Sequence, residues 1–127
     1  MDINAVTDRV IGAAIEVHRE LGPGLLESAY EECLATELAL RGIRFERQKP
    51  VPLLYKGSKI GLGFRLDLVV EDLVAVELKA VDAILPIHEA QVLTYLKLTG
   101  LQVALLLNFN VKLLPKGIRR LVLNLEE

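Results

Sequence analysis

The sequence predicts an α/β or α+β domain, a mixed β-sheet flanked by helices in the order ααβββαββ. Three observations predict it. Apolar residues recur at helical spacing through residues 3–21 and again up to Gly42. The period then changes, and three extended runs follow between residues 43 and 80. A helical stretch opened by Pro86 separates these from two further strand-like runs.

The first helix rests on Ile3, Val6, Val10, Ala13, Ala14, Val17 and Leu21, and "GPG" at 22–24 stops it. A second helix is expected from about Leu25 to Arg41, with Gly42 as its C-cap. "IRFERQKPVPLLYKG" reads as an extended, proline-interrupted strand, which belongs at a sheet edge. Lys56-Gly57 marks a turn. "KIGLGFRLDLVV" and "LVAVELKA" are the second and third strands, with a bend at Glu71-Asp72. A third helix covers about 87–99 and closes at Gly100. "QVALLLNF" is a buried fourth strand and "IRRLVLNL" a fifth. There is no internal repeat or linker, so 127 residues are expected to form one domain, 1–127.

Composition narrows the function classes. Apolar residues make up 52% and mean hydropathy is +0.38, which suggests a sheet covered on both faces, a subunit interface, or both. A homodimer or larger assembly, joined in part through the "IRRLVLNL" tail, is one expectation. No apolar run reaches the roughly 18 residues that cross a bilayer, and "MDINAVTDRV" does not read as a signal peptide. Cys33, the single cysteine, excludes an internal disulfide and a cysteine-rich zinc site, and a cytoplasmic setting is the expectation that follows. Net charge is −2, but it is unevenly spread. Residues 1–40 carry net −6, residues 41–65 net +6, and residues 66–127 net −2. The middle block is either a solvated hairpin surface or a phosphate-facing patch.

The chemistry concentrates in "VAVELKA", residues 74–80. Glu77 and Lys79 interrupt an apolar strand and share one face. Asp67 lies inside the apolar run of the preceding strand. If Val70 opposes Val74 across a three-residue bend, paired residue numbers sum to 144 and Asp67 falls opposite Glu77. If Val70 opposes Leu73, the two carboxylates face opposite ways. Two carboxylates about 5 Å apart require a proton, a lysine or a cation. A structural salt-bridge network would satisfy them. So would a hard divalent cation, Mg²⁺ or Mn²⁺, with Lys79 orienting a water or stabilising charge on a phosphoryl oxygen.

Asp67 followed after nine residues by Glu77-Leu78-Lys79 resembles the D…(D/E)-x-K signature of the PD-(D/E)XK nuclease superfamily. The element order resembles that fold too, so a restriction-endonuclease-like sheet is implied. "GLLESAY" resembles the motif of the GxxExxY protein family through Gly24, Glu27 and Tyr30. "VHRELGPGLLE", "RGIRFERQ", "VELKAV", "HEAQVLTYL" and "LLLNF" are similar to further blocks of that family. Leu66 stands where the superfamily's name has proline. The resemblance implies that Asp67, Glu77 and Glu27 hold the metal and that Lys79 positions the attacking water. It implies that Tyr30, Gln91 and Tyr95 face the substrate, the last two as a Q-x-x-x-Y pair on the third helix. Lys56 and Lys59, from the basic block, are candidate phosphate contacts. The implied partner is nucleic acid, with DNA expected over RNA. The implied function is metal-dependent phosphodiester hydrolysis; the alternative is an inactive module of the same fold that binds nucleic acid or protein.

Outside this set, His18, His88 and Cys33 read as structural. No phosphate-binding glycine loop, nucleophile elbow or H-E-x-x-H is present.

Overall fold

A computed structural model describes residues 1–124, with Leu62 described by its backbone only. Helix α1 (Ile3–Leu21) starts where the Asp2 carboxylate accepts the Ala5 N–H at 2.8 Å. It stops at Gly22, whose φ of 69° is open to glycine at little cost. Helix α2 (Glu27–Leu40) begins two residues later than its sequence pattern suggests, and Arg41 and Gly42 close it. Strands β1 (Phe45–Tyr55), β2 (Ser58–Val70) and β3 (Val74–Lys79) follow, then helix α3 (Pro86–Thr99) and strand β4 (Val103–Asn108). A 3₁₀ turn at Leu114–Gly117 leads into strand β5 (Ile118–Val122). The expected fifth strand ran three residues further, to Leu125, which lies outside the described residues.

The five strands lie in the order β1-β2-β3-β4-β5; only β3 and β4 pair in parallel. The proline-bearing β1 is an edge strand. One face packs on α1 and α2 through a core that includes Val10, Ala14, Leu34 and Leu38 with Val70, Val76 and Leu105. The other packs on α3 through Val92 and Leu96 with Val69, Ala75, Ala104 and Leu106. Coverage on both faces explains why β3 and β4 are near-continuous apolar runs. Every residue of β4 is buried. No helix among the described residues is long and apolar enough to cross a membrane.

Two features of this scaffold fix the end of β3 and the start of α2. Asn108, which pairs with Lys79, is buried and ties down the chain leaving β3. Its side chain donates to Val81 O at 2.9 Å and accepts from Val81 N at 3.1 Å. Tyr30 does the same for the start of α2. Its hydroxyl donates to Gly22 O at 2.6 Å and accepts from Leu25 N at 3.1 Å, and its ring stacks on Phe109 with centroids 4.6 Å apart. The "GPG" bend is thus fastened to the helix it precedes.

Tyr30→Phe should therefore destabilise the fold by about 1–2 kcal/mol, because Gly22 O and Leu25 N–H lose a partly buried partner. Urea unfolding with an unchanged m-value would measure it.

Candidate functional site

The β2–β3 register follows the sum of 144: Val70 pairs with Val74, Val69 with Ala75 and Leu68 with Val76. The ladder ends there, one step before Asp67 and Glu77. The strands part, and side chains take over from backbone. Asp67 N–H donates to Glu77 Oε1 at 3.0 Å, and Leu78 N–H donates to Asp67 Oδ2 at 2.9 Å. Each carboxylate thus accepts a backbone donor of the other strand. Among the described residues, Glu77 Oε2 has no hydrogen-bond partner and Asp67 Oδ1 meets only the Gln48 amide, at 3.4 Å.

The fork is made possible by an inversion in the β1–β2 hairpin. Leu68 and Val70 belong to the α1/α2 core, yet Leu66 belongs to the α3 core. Alternation along one strand should have kept them on one face. On β1, Phe45 packs against the first core and Val51 against the second. Both strands switch at the pair Gln48–Asp67, the step missing from an otherwise regular ladder around it. Gln48 has a φ of 49°, a left-handed conformation unfavourable for a residue with a Cβ by roughly 1–2 kcal/mol. Its side chain explains what the strain achieves. Nε2 donates to Glu31 Oε1 at 2.7 Å and reaches Asp67 Oδ1 at 3.4 Å. Arg47 holds the other Glu31 oxygen at 2.9 Å.

The electrostatics are those of crowded acids. Burial, followed by the Asp67 charge, pushes the Glu77 carboxyl up to about 8. Burial also raises Asp67, with Glu31 adding to it, while the Leu78 and Gln48 hydrogen bonds and Lys79 oppose the shift. The Glu27 carboxyl is raised by partial desolvation and then by Asp67, with Lys79 opposing. Lys79, half-buried at the end of β3, is the one cation among the described residues whose charge acts on all three.

The structure thus brings together Asp67, Glu77, Lys79 and Glu27. Tyr95 lies on the α3 side, stacked on Phe64 with centroids 4.3 Å apart, and its hydroxyl feels the charges of Glu77 and Asp67. Gln91 is exposed on α3 and hydrogen-bonds no described residue. Tyr30 requires a correction. It is fully buried with its hydroxyl spent on the "GPG" bend, so it cannot face a substrate. Residues three apart on a helix differ by about 60° around the axis, enough to sink Tyr30 while Glu27 stays at the surface. Lys56 and Lys59 sit at the tip of the β1–β2 hairpin, beyond the register shift at Val51–Leu53, with Lys59 at most roughly 26 Å from Asp67 at about 3.3 Å per strand residue. They are not part of the carboxylate site.

His18 and His88 are structural. His18 Nε2 bridges Phe109 O at 3.1 Å and Val111 O at 2.8 Å, and His88 Nδ1 accepts from Leu85 N at 3.0 Å. Sequence reasoning missed Gln48 and Glu31. Glu31 carried a usable signal, one helical turn beyond Glu27 on the same face.

The donors suit a hard cation. Carboxylate oxygens crowd a place where burial and their mutual repulsion disfavour ionisation, a penalty that a bound cation would relieve. Among the described residues no three histidine, cysteine or acidic side chains are placed to hold a metal ion together. A cation held here would therefore take its near oxygens from Asp67 and Glu77, with Glu27 standing off. Mg²⁺ suits such a set, since it keeps several waters and takes one or two carboxylates.

A model of the PD-(D/E)XK nuclease superfamily matches residues 4–121 of the chain. Comparison with curated proteins gives no match, and comparison with solved structures gives none.

Two measurements test this geometry. Glu77 in the fold holds its proton far above its ordinary value of 4.5. That contribution to stability is complete below about pH 4.5 and is lost as pH rises through about 8. The melting temperature of the metal-free protein should fall across that window, and Glu77→Gln should remove most of the slope. Mn²⁺ affinity should run the other way, tightening about tenfold per pH unit up to about pH 8, because binding displaces the proton. For Gln48, glycine separates backbone from side chain. Gln48→Gly should stabilise the fold by about 1 kcal/mol through relief of the left-handed residue. It should also weaken Mn²⁺ binding about tenfold through loss of the amide that steadies Asp67. Calorimetry on the same protein reads both.

Proposed function

The chain belongs to the PD-(D/E)XK nuclease superfamily, and on that premise we propose that it is a divalent-metal-dependent nuclease of the GxxExxY branch, hydrolysing phosphodiester bonds in nucleic acid, DNA rather than RNA. The observation that carries the reading is the fork, where Asp67 and Glu77 cross-brace two strands and leave oxygens free beside Lys79. A structural salt bridge would have spent Lys79 on one of these carboxylates. No ion pair ties Lys79 to a described residue.

In this reading Asp67 and Glu77 would hold Mg²⁺ or Mn²⁺, with Glu27 as the further acidic group beside them. The metal supplies Lewis-acid polarisation of a phosphoryl oxygen and a more acidic water. The protein does the rest. Lys79, fixed by the Asn108 clamp on its strand, orients the water for in-line attack on phosphorus. The water oxygen bonds to phosphorus and gives up a proton to solvent, the P–O ester bond breaks, the departing oxygen takes a proton from solvent, and the Lys79 ammonium offsets the charge that builds between them. The backbone N–H bonds to both carboxylates hold the metal-binding oxygens still during this step. Tyr95 and Gln91 line the approach from α3. The Gly24–Glu27–Tyr30 motif reads as one unit whose tyrosine anchors the helix that carries the glutamate. A homodimer remains part of the proposal, with β5 as an open sheet edge, and sedimentation at high micromolar concentration is its test.

Lys79→Ala should retain Mn²⁺ affinity within about threefold yet cleave at least 100-fold more slowly. Asp67→Ala should lose both. Binding retained and cleavage absent in the unmodified protein, over single-stranded, duplex and branched substrates, would assign it to the inactive-module class.

A further inference from the structure

The β1–β2 hairpin outruns the body of the protein. From Pro52 to Gly63 no described side chain is buried, and only Leu53 is half-buried. A bare two-stranded ribbon is marginal in water, but this one carries devices that hold its shape. Lys56 and Gly57 have φ of 50° and 82°, as a tight hairpin turn demands. The register shifts between Val51 and Leu53, and a Cβ on Gly63 would lie 2.7 Å from Val51 O. Only glycine lets the strands approach there. A loop that merely connected β1 to β2 would need none of this.

Its charge is one-signed. No acidic residue occurs between Glu46 and Asp67. The basic block divides in space into two parts. Arg41, Arg44 and Arg47 are spent on Glu37, on Glu71 and Asp72, and on Glu31 and Glu32. Lys49, Lys56, Lys59 and Arg65, all on the hairpin, form no ion pair with a described residue. Tyr55 beside them is 63% exposed, with the Lys56 ammonium 5.5 Å from its ring centre.

We propose that this hairpin is an arm that lies in the major groove of B-form duplex DNA and holds the duplex against the carboxylate site. The placement of the cut rests on the nuclease reading above; the arm itself does not. A two-stranded ribbon fits the roughly 12 Å major groove of B-DNA. It does not fit the deep, narrow major groove of an RNA duplex. Lysines at the tip reach phosphates on the groove walls, and Tyr55 offers apolar contact to base edges. The spacing gives a limit. Lys59 lies eight residues from Asp67 on β2, and with the register shift between them the span is at most roughly 26 Å, or no more than about 8 base pairs at 3.4 Å each.

The test is fluorescence anisotropy with labelled DNA duplexes of 6 to 20 base pairs, the matching single strands and RNA duplexes, in Ca²⁺ and over a salt series. The unmodified protein is compared with Lys56→Glu/Lys59→Glu, both exposed positions, and Mn²⁺ calorimetry reports whether the carboxylate site is intact. Affinity for DNA duplexes should climb with length and level off by about 8 base pairs. The double reversal should erase that step, weaken long-duplex binding about 100-fold and flatten the salt slope by about two units, at 0.9 per lost phosphate contact. Single strands and RNA duplexes should lose less than threefold. The proposal is overturned if no length step exists or if all three polymers weaken alike. It is equally overturned if DNA binding is untouched while sedimentation shows a dimer dissolved by the reversal, which would make a second copy the arm's occupant. A clear length step in a protein that cleaves nothing with Mn²⁺ would sink the nuclease reading and leave the arm standing.

Discussion

Everything at this site depends on a pair of crossed hydrogen bonds, Asp67 N–H to Glu77 and Leu78 N–H to Asp67. An antiparallel ladder that stops inside a protein leaves donors behind, and a buried donor without a partner costs about 1–3 kcal/mol. Here the strands must separate to open a cleft, and the carboxylates settle the donors so released. The same bonds orient both carboxylates from the scaffold side. Their remaining oxygens are then aimed before any ligand arrives, which is the condition for electrostatic preorganisation. The cost is two acids in one poorly hydrated place, and it appears as the proton that Glu77 retains to about pH 8.

The rest of the fold can be read as support for that fork. β1 and β2 exchange faces at Gln48–Asp67, so β2 can belong to the sheet on one side of the site and to an arm on the other. The strained Gln48 is held by what it bonds. Arg47, Glu31 and Gln48 form a chain of hydrogen bonds from α2 to Asp67. Backbone strain of this kind persists only where the surroundings over-determine it. On the other flank, Asn108 in the fully buried β4 secures the chain just after Lys79. Site residues from α2, β2 and β3 are thereby referenced to a single rigid strand pair.

How much of this the sequence carried depends on the range of each interaction. The fork's register was legible because a three-residue bend and a period of two leave little freedom: choosing Val70 opposite Val74 sets Asp67 against Glu77. Element order was legible for the same reason, since periodicity and glycine or proline punctuation are local. Gln48 was not legible. Nothing in a strand-like run marks which residue will take a positive φ, and its partners Glu31 and Asp67 lie 17 and 19 residues away. Tyr30 misled for a geometric reason, because helical spacing groups residues into a broad stripe and a large ring can turn inward from its edge. The basic block misled in part because sequence counts charge without pairing it. Arg44 and Arg47 are neutralised by acids from other elements, and Arg41 by Glu37 one turn back on the helix it caps.

That pairing has a consequence for how a polyanion could approach. Around the fork stand Glu27, Glu31, Asp67 and Glu77, against Lys79 and an Arg47 already shared between two glutamates. Of the hairpin cations that form no ion pair with a described residue, Lys56 and Lys59 stand well away, at its tip. A phosphate backbone drawn to the arm therefore meets a repulsive field at the place where it would be cut. At 4 Å and an effective dielectric near 20, each unit charge counts for about 4 kcal/mol, so the repulsion is not a detail. A divalent cation between Asp67 and Glu77 reverses the sign of that field locally. Under the proposed function, metal and nucleic acid then each raise the other's affinity by the same factor, as linkage requires. The acids that make the site costly to fold are what make its grip on the scissile phosphate conditional on the metal.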